Sequence, residues 1–276
     1  MRAGMLDREL VEAVKLAREA GRILLEIYAT DFGVEMKGES DPVTEADRRV
    51  NAFLTARLHE SFPTDIIVAE ESDGSEARRG GRCWFVDPLD GTKEFIARNG
   101  EFSVMIGLAI EGEAALGVVY QPTLDKLWRG VVGDGAFLEQ GDKTWVCKPT
   151  DVSDPSKLRL VTSRSHRSAA TDAIVQRLGI TQESVSGSVG LKVGLIAERR
   201  ADLYVHLSDR SSAWDACAPD AILRASGGVF VDLSGRSIQY GTADTRNHRG
   251  ILACNRKSYE KVQPIVTEIA QQAGLI

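Results

Sequence analysis

The first third of the chain alternates between helical and strand-like patterns of apolar residues. Apolar residues recur at helical spacing over 6–29, which predicts an amphipathic helix, and again over 44–60, where Thr44 is placed to cap a helix. Short apolar runs follow at 66–70 and 83–87, and both end in acidic residues. We predict two strands there, separated by a polar, glycine-rich loop.

The pattern changes after Phe102. Five β-rich runs over 102–146 are separated by short turn sequences, which predicts a meander of antiparallel strands. The polar stretch 148–155 predicts a domain boundary, and beyond it strands and helices alternate. We predict the later helices near 168–178, 190–199, 214–226 and 257–272, and strands at LRLVTS, ADLYVHL, VFVDL and ILACN. The sequence thus predicts an α+β protein with an N-terminal domain, 1–150, and a C-terminal domain, 151–276.

Composition limits the function classes. The chain has 276 residues, of which 43% are hydrophobic and 27% charged, as is ordinary for a soluble globular enzyme. A net charge of −6 argues against binding nucleic acid or an anionic membrane. The sequence has no signal-peptide pattern, and no apolar run approaches the ~18 residues of a membrane span. Four cysteines without Cys-x-x-Cys spacing are typical of buried thiols, so we expect a cytoplasmic protein.

The stretch DPLDGT places Asp87 and Asp90 where the second predicted strand ends. One interpretation is a tight turn, in which Pro88 fixes φ and Gly91 supplies a positive φ. The other is an oxygen-ligand site for a hard cation such as Mg²⁺. Glu70 ends the preceding strand, and two neighbouring strands ending in acids would repel each other unless a cation neutralised them. This favours the metal site.

Two further acids have structural alternatives. Asp215 stands near the start of a predicted helix, where the helix dipole alone favours an acid. Asp47 has nearly capping-box spacing from Thr44. The complete acidic set contains no histidine and is typical of Mg²⁺ rather than zinc; its members are Asp47, Glu70, Asp87, Asp90 and Asp215.

The order of these motifs resembles a known family. TEAD, AEES, DPLDGT, and WDxxxP followed by ASGG resemble the inositol monophosphatase superfamily of Mg²⁺-dependent, lithium-sensitive phosphatases, over nearly the whole chain. The continuation KEF after DPLDGT, the segment SRSHR and the Cys-Ala-Pro of WDACAP look like the 3′(2′),5′-bisphosphate nucleotidases of that superfamily. Glu45-Ala46 before Asp47 and the loop 208–213 depart from the family's pattern.

The resemblance implies a fold and a metal site. The fold would be the layered α/β/α/β/α sandwich of the inositol monophosphatase and fructose-1,6-bisphosphatase type, with the metals between the two domains. Two or three Mg²⁺ ions would be bound by Glu70, Asp87, the carbonyl of Leu89, Asp90 and Asp215. Asp47 would join a further metal or orient the water. Thr92, with Asp47 or Glu70, would polarise the nucleophilic water.

The resemblance also implies a phosphate site. Backbone amides at Gly91 and Thr92 would cradle the phosphate, as free N–H groups at a turn can do. Basic residues would hold a second phosphate, although Lys192 could be a solvated helix face, Arg164 a surface charge and His166 a helix cap. The complete implied substrate-binding set is Asp90, Gly91, Thr92, Arg164, His166, Ser188, Lys192 and Asp215.

The implied function is Mg²⁺-dependent removal of the 3′-phosphate from adenosine 3′,5′-bisphosphate, giving AMP and phosphate and clearing a by-product of sulfate assimilation. Inositol monophosphatase or fructose-1,6-bisphosphatase activity would keep every metal ligand. A non-catalytic phosphometabolite- or cation-binding protein is a further alternative, against which intact Glu70, Asp90 and Thr92 argue. We expect a small phosphorylated metabolite as partner, and a monomer or homodimer.

Overall fold

The computed structural model describes residues 4–38, 41–71, 81–164 and 167–276. The helices in these ranges are α1 (Asp7–Tyr28), α2 (Glu45–Ser61), α3 (Thr92–Ile96), α4 (Ala169–Leu178), α5 (Val189–Ala197), α6 (Ala213–Ala225) and α7 (Tyr259–Gln272). The strands are β1 (Val34–Gly38), β2 (Asp41–Thr44), β3 (Ile66–Ala69), β4 (Arg82–Asp90), β5 (Ser103–Ile110), β6 (Glu113–Gln121), β7 (Lys126–Val131), β8 (Gly135–Gln140), β9 (Lys143–Val146), β10 (Arg159–Ser163), β11 (Gln182–Ser186), β12 (Leu203–His206), β13 (Val229–Val231) and β14 (Ile251–Cys254).

Strands β3 to β9 form a seven-stranded sheet in sequence order. Only the β3–β4 pair is parallel, and the other pairs are antiparallel, so the predicted meander is confirmed. Helices α1 and α2 cover one face of this sheet with an apolar stripe that includes Leu16, Leu24 and Leu54. Thr44 caps α2, as predicted.

The second sheet has five strands in the order β11-β10-β12-β14-β13. Helices α4 and α7 pack on its outer face through residues such as Ile174 and Val266. Helices α5 and α6 lie between the two sheets, where Val193 and Cys217 pack against side chains from both. The order of layers is therefore α/β/α/β/α, and the predicted fold class is confirmed.

Helix α6 lies unusually close to the seven-stranded sheet because three glycines stand opposite one another beneath it. Gly107, Gly117 and Gly130 are cross-strand partners on β5, β6 and β7. A Cβ atom added at Gly117 would lie 2.1 Å from the carbonyl oxygen of Ala218 on α6. The missing side chains leave a groove in which the helix backbone sits directly on the sheet, and this fixes the helix that carries Asp215.

The structure adds elements that the apolar pattern did not predict. The hairpin of β1 and β2 and the edge strand β11 are absent from the predictions, since β11 is polar and mostly exposed. Helix α6 follows the predicted boundary at 148–155 in sequence but packs on the first sheet, so the division into 1–150 and 151–276 stays a prediction. No described helix is both long and apolar enough to cross a bilayer.

Candidate active site

The end of β4 brings two carboxylates to one place. Asp87 pairs with Met105 of β5, and Asp90 pairs with Ser103. The chain therefore moves three residues along β4 but only two along β5, and this bulge interrupts the regular alternation of side chains between the two acids. Asp87 is 1% exposed, and its Oδ1 accepts a hydrogen bond from the Leu89 amide at 2.9 Å. Asp90 Oδ2 accepts from Ser188 Oγ at 2.5 Å and from the Gly190 amide at 2.9 Å.

Asp215 joins these two acids from the first turn of α6. It caps its own helix, because Oδ2 accepts a hydrogen bond from the Ser212 amide at 2.6 Å. Carboxylate oxygens of Asp87, Asp90 and Asp215 all lie within 4.8 Å of one another. Asp215 therefore stands in the first turn of its helix, as the helix-dipole interpretation requires, and it also completes a group of three acids.

The pKa values of the three acids reflect burial and mutual repulsion. Burial raises the pKa of Asp87 well above its ordinary value, and the charges of Glu70, Asp90 and Asp215 raise it further. Burial likewise raises the pKa of Asp215, followed by the charges of Asp90 and Glu70. Burial also raises the pKa of Asp90, although the Lys192 ammonium and Ser188 oppose it. Such an all-oxygen, mutually repelling group fits a hard divalent cation, which would offset the repulsion.

Glu70 stands at the edge of this cluster. It directly follows β3, and its amide donates to the carbonyl of Val86 at 3.1 Å, beside Asp87. Its side chain is partly buried and lines the cleft described below. The two neighbouring strands thus end in acids that face one another, as the sequence predicts.

Asp47 and Thr92 form a hydrogen-bonded pair. Asp47 Oδ2 accepts hydrogen bonds from the amide and the hydroxyl of Thr44, at 2.7 and 2.6 Å. Its Oδ1 lies 3.0 Å from Thr92 Oγ1, which is also 3.2 Å from the Leu89 carbonyl oxygen. Burial raises the pKa of Asp47. The capping-box interpretation of Asp47 is therefore confirmed, and Asp47 also accepts a hydrogen bond from the Thr92 hydroxyl.

A cleft of about 720 Å³ opens above the acids. Its lining includes Glu70, Asp90 and Asp215, together with Gly91 and Thr92. Gly91 has a φ of 98°, so the positive φ expected at this glycine is confirmed. The volume suits a ligand of nucleotide size.

Comparison with known proteins identifies the family. A model described as the inositol monophosphatase family matches residues 5–271.

The chain belongs to the inositol monophosphatase family.

Its relatives include the 3′(2′),5′-bisphosphate nucleotidase CysQ of Escherichia coli O157:H7, which is 38% identical over 241 residues and is matched over 86% of this chain and 94% of its own length. A solved structure of CysQ from Bacteroides thetaiotaomicron superposes with a TM-score of 0.77 at 28% identity, covering 92% of this chain and 99% of that one. The IMPase of Thermotoga maritima gives a TM-score of 0.80 at 26% identity, covering 96% and 98%. The resemblance noted in the sequence is confirmed.

In this inositol monophosphatase family member, the predicted phosphate contact Lys192 turns toward the main chain. The residue is 3% exposed. Its ammonium donates to the carbonyls of Ser186 at 3.5 Å, Ser188 at 2.8 Å and Gly187. Burial lowers the pKa of Lys192 to about 8, although the nearby Asp90 charge opposes this. An ammonium has three donors, so this arrangement leaves none for a ligand. The solvated helix face considered for Lys192 is wrong.

The other predicted substrate-binding residues have different surroundings. Arg164 donates to Glu101 Oε2 at 2.8 Å, its Nε lies 3.8 Å from Glu94 Oε1, and it does not line the cleft. Ser188 lines the cleft, but its hydroxyl is hydrogen-bonded to Asp90. His166 lies outside the described residues.

The cleft lining includes two arginines that were not predicted from the sequence. Arg210 and Arg246 line the cleft from separate irregular segments of this family member. The loop 208–213 matched no recognisable pattern, and Arg246 lies in a polar stretch without periodicity. The available signal was a basic residue in each of two polar loops, which is too common to single either out.

Proposed function

We propose that the protein is a Mg²⁺-dependent phosphomonoester hydrolase that removes the 3′-phosphate of adenosine 3′,5′-bisphosphate, giving AMP and phosphate. The observation that carries the proposal is the group of three acids, Asp87, Asp90 and Asp215, of which Asp90 and Asp215 line a cleft of about 720 Å³. The relatives named 3′(2′),5′-bisphosphate nucleotidase support this choice of substrate.

Two or three Mg²⁺ ions fit the donors present. We assign their ligands to Glu70, Asp87, the Leu89 carbonyl, Asp90 and Asp215, with Asp47 as a candidate for a further ion. Bound Mg²⁺ would neutralise charge on the phosphate oxygens and lower the pKa of the attacking water. Asp90 is already held by Ser188 and Gly190, so its free oxygen has a fixed direction.

The remaining steps belong to the chain's own groups. The Thr92 hydroxyl donates its hydrogen toward Asp47, so its lone pairs are free to accept a hydrogen bond from the attacking water. Asp47 is itself fixed by two hydrogen bonds from Thr44, which hold Thr92 in one orientation. Asp47 or Glu70 would take a proton from that water, and Glu70 lines the cleft. The amides of Gly91 and Thr92 would face the phosphate.

Inositol monophosphatase activity is the second candidate, because the IMPase of Thermotoga maritima superposes with a TM-score of 0.80. Both activities, and fructose-1,6-bisphosphatase activity, would use the same acids. Phosphate release from adenosine 3′,5′-bisphosphate, inositol 1-phosphate and fructose 1,6-bisphosphate separates them. We expect the highest kcat/KM for the nucleotide, and no release when EDTA is in excess. A higher kcat/KM for inositol 1-phosphate would replace the proposed substrate.

Asp90→Asn tests the metal assignment. An amide cannot supply the anionic ligand that holds the ion, so we expect loss of turnover and of Mg²⁺ binding measured by calorimetry, with folding retained. Asp142→Asn, on an exposed turn, is the matched control. Near-normal turnover of the Asp90 variant at saturating Mg²⁺ would contradict the assignment.

By the family resemblance, Li⁺ should inhibit the wild type, and so should Ca²⁺, since its looser coordination would misplace the water.

Three further properties remain proposals of the same kind. We place the enzyme in the cytoplasm, as a monomer or homodimer, with its substrate bound between the N-terminal domain, 1–150, and the C-terminal domain, 151–276.

A further inference from the structure

We propose that Arg210 and Arg246 bind the second phosphate of the substrate, the one that is not hydrolysed. This inference rests on the proposed function, since it takes a bisphosphate as the substrate, and it assigns a second anion site to the rim of the same cleft. Both residues line that cleft.

The basic residues suggested by the sequence leave this role open. Lys192 directs its donors to the main-chain carbonyls of 186–188, and Arg164 is paired with Glu101 outside the cleft lining. Lys93 lines the cleft beside Gly91 and Thr92, on the side assigned to the scissile phosphate. A second dianion therefore needs other cations in the cleft.

Arg210 and Arg246 have the charge that the site requires. Both side chains are exposed, and neither guanidinium forms an ion pair with a carboxylate in the part of the chain that the structure describes. Asp209 also lines the cleft beside Arg210, but no ion pair joins these two neighbours. Asp244 accepts a hydrogen bond from the main-chain amide of Arg246, at 3.0 Å, and its other carboxylate oxygen lies 2.7 Å from His248 Nε2.

The two arginines belong to one hydrogen-bonded wall. The Ala213 amide donates to the Thr245 carbonyl at 2.7 Å, and the Asn247 amide donates to the Ser211 carbonyl at 2.8 Å. The side chain of Asn247 also donates to the Ser212 carbonyl at 2.7 Å. These bonds join the backbones of both loops to each other at the start of α6, close in sequence to Asp215.

The chemistry of the guanidinium group suits a phosphate dianion. Its planar fork donates two parallel hydrogen bonds to phosphate oxygens and keeps its charge at any pH the enzyme meets. With acids and arginines in its lining, the cleft offers groups for a cation and groups for an anion. A nucleotide with phosphates on both the 3′ and 5′ positions can use both parts, whereas a nucleoside monophosphate uses one.

The experiment compares two substrates that differ only in the second phosphate, adenosine 3′,5′-bisphosphate and adenosine 3′-monophosphate. Arg210→Gln and Arg246→Gln should each lower kcat/KM for the bisphosphate by roughly tenfold, as expected for loss of one charge-assisted contact, and leave the monophosphate nearly unchanged. The double variant should lose more than either single variant. Arg22→Gln, an exposed arginine on α1 far from the cleft in the layer order, is the matched control. Equal losses on both substrates, or no loss on either, would overturn the assignment.

A binding measurement separates this inference from the proposed function. Wild-type protein should bind AMP, which keeps the 5′-phosphate, more tightly than adenosine in calorimetry, and the double variant should lose that preference. If the wild type hydrolyses neither nucleotide with Mg²⁺, the proposed function fails. If it hydrolyses both with equal kcat/KM and binds AMP no better than adenosine, phosphatase activity stands and the second phosphate site is wrong.

Discussion

At the scale of single residues, Lys192 carries a charge inside the protein. Burying an ammonium is costly unless its donors are satisfied, and here three carbonyls of the turn 186–188 satisfy them. Ser188 in this turn has a φ of 26°, which is unfavourable for a residue with a side chain. The same Ser188 donates its hydroxyl to Asp90. Lys192 thus stabilises a strained turn that orients Asp90, one of the proposed metal ligands.

Lys192→Met should therefore damage catalysis without changing substrate preference. The thioether has similar length but no donors, so the carbonyls of 186–188 lose their partners and Ser188 and Gly190 shift from Asp90. We expect kcat/KM to fall by roughly tenfold or more on both the bisphosphate and adenosine 3′-monophosphate, with unfolding free energy lower by about 1–3 kcal/mol.

The control for this variant is Lys261→Met, because Lys261 is exposed and donates to a single main-chain carbonyl, that of Ser153, at 3.0 Å. It should behave as the wild type in both assays. A loss confined to the bisphosphate in the Lys192 variant would instead mean that its ammonium meets the second phosphate directly.

The sequence predicts the acidic residues of the site better than its basic residues. Asp87 and Asp90 lie in a contiguous motif at a strand end, and Glu70 ends the neighbouring strand, so local pattern and a parallel pair are enough to bring them together. Arg210 and Arg246 line the same cleft, and their two irregular loops are hydrogen-bonded to each other. No periodic pattern in the sequence predicts such a pairing of loops. The partners of Lys192 depend on an unusual backbone conformation at Ser188, which a helical pattern cannot reveal.

At the scale of elements, the position of α6 depends on the glycine groove below it. The helix pattern at 214–226 predicted α6 to within a residue at each end, because apolar periodicity reports that a helix is buried. The pattern does not show how closely the helix approaches the sheet. The depth follows from Gly107, Gly117 and Gly130, which are spread over three strands and become neighbours only when the register of the sheet is known.

Gly117→Ala should push α6 away from the sheet. The new Cβ would lie 2.1 Å from the Ala218 carbonyl oxygen, and a backbone atom can yield only if the helix moves. We expect a loss of about 1–3 kcal/mol in unfolding free energy, typical of overpacking, and weaker Mg²⁺ binding because Asp215 moves with the helix. Urea unfolding and calorimetry measure the two effects.

Gly33→Ala is the matched control for this change, since a Cβ there meets no atom within 4 Å. It should leave stability and Mg²⁺ binding nearly unchanged. A Gly117 variant that lost stability but kept full Mg²⁺ affinity would show that α6 adjusts without displacing Asp215.

At the scale of the whole molecule, the buried Asp220 in the middle layer makes the free energy of unfolding depend on pH. It is 2% exposed, and its Oδ2 accepts a hydrogen bond from the Tyr240 hydroxyl at 2.9 Å. Its Oδ1 has no hydrogen-bond partner among the described residues. Burial raises the pKa of Asp220 from 3.8 to about 7, against the opposing charge of Arg224. The folded protein therefore holds this proton where the unfolded chain has released it.

This difference sets the direction of the pH dependence. Unfolding free energy should fall as pH rises from about 4 to about 7, because the unfolded chain binds fewer protons there, and the contribution should level off above that window. Asp220→Asn cannot release a proton, so it should remove this part of the slope. The full contribution is about 4 kcal/mol at most, since one pKa unit corresponds to about 1.4 kcal/mol.

Urea unfolding at pH 5 and pH 8 measures the effect, with Asp142→Asn as the exposed control. The gap in stability between the two pH values should be smaller in the Asp220 variant than in either the wild type or the control. If the Asp220 variant kept the same difference in stability between pH 5 and pH 8, groups other than Asp220 would be responsible for the pH dependence.

The insertion of α6 between two sheets has a consequence for folding kinetics. The strands of the meander pair with their sequence neighbours, so Glu70, Asp87 and Asp90 can come together early. Asp215 arrives only when α6 docks through contacts of long sequence separation, which form slowly because a large loop must close first. Groups that meet after the rate-limiting step influence unfolding rather than refolding. We expect Mg²⁺ to slow unfolding severalfold in stopped-flow measurements while the refolding rate hardly changes. The ion would then stabilise the native state by raising the barrier to unfolding.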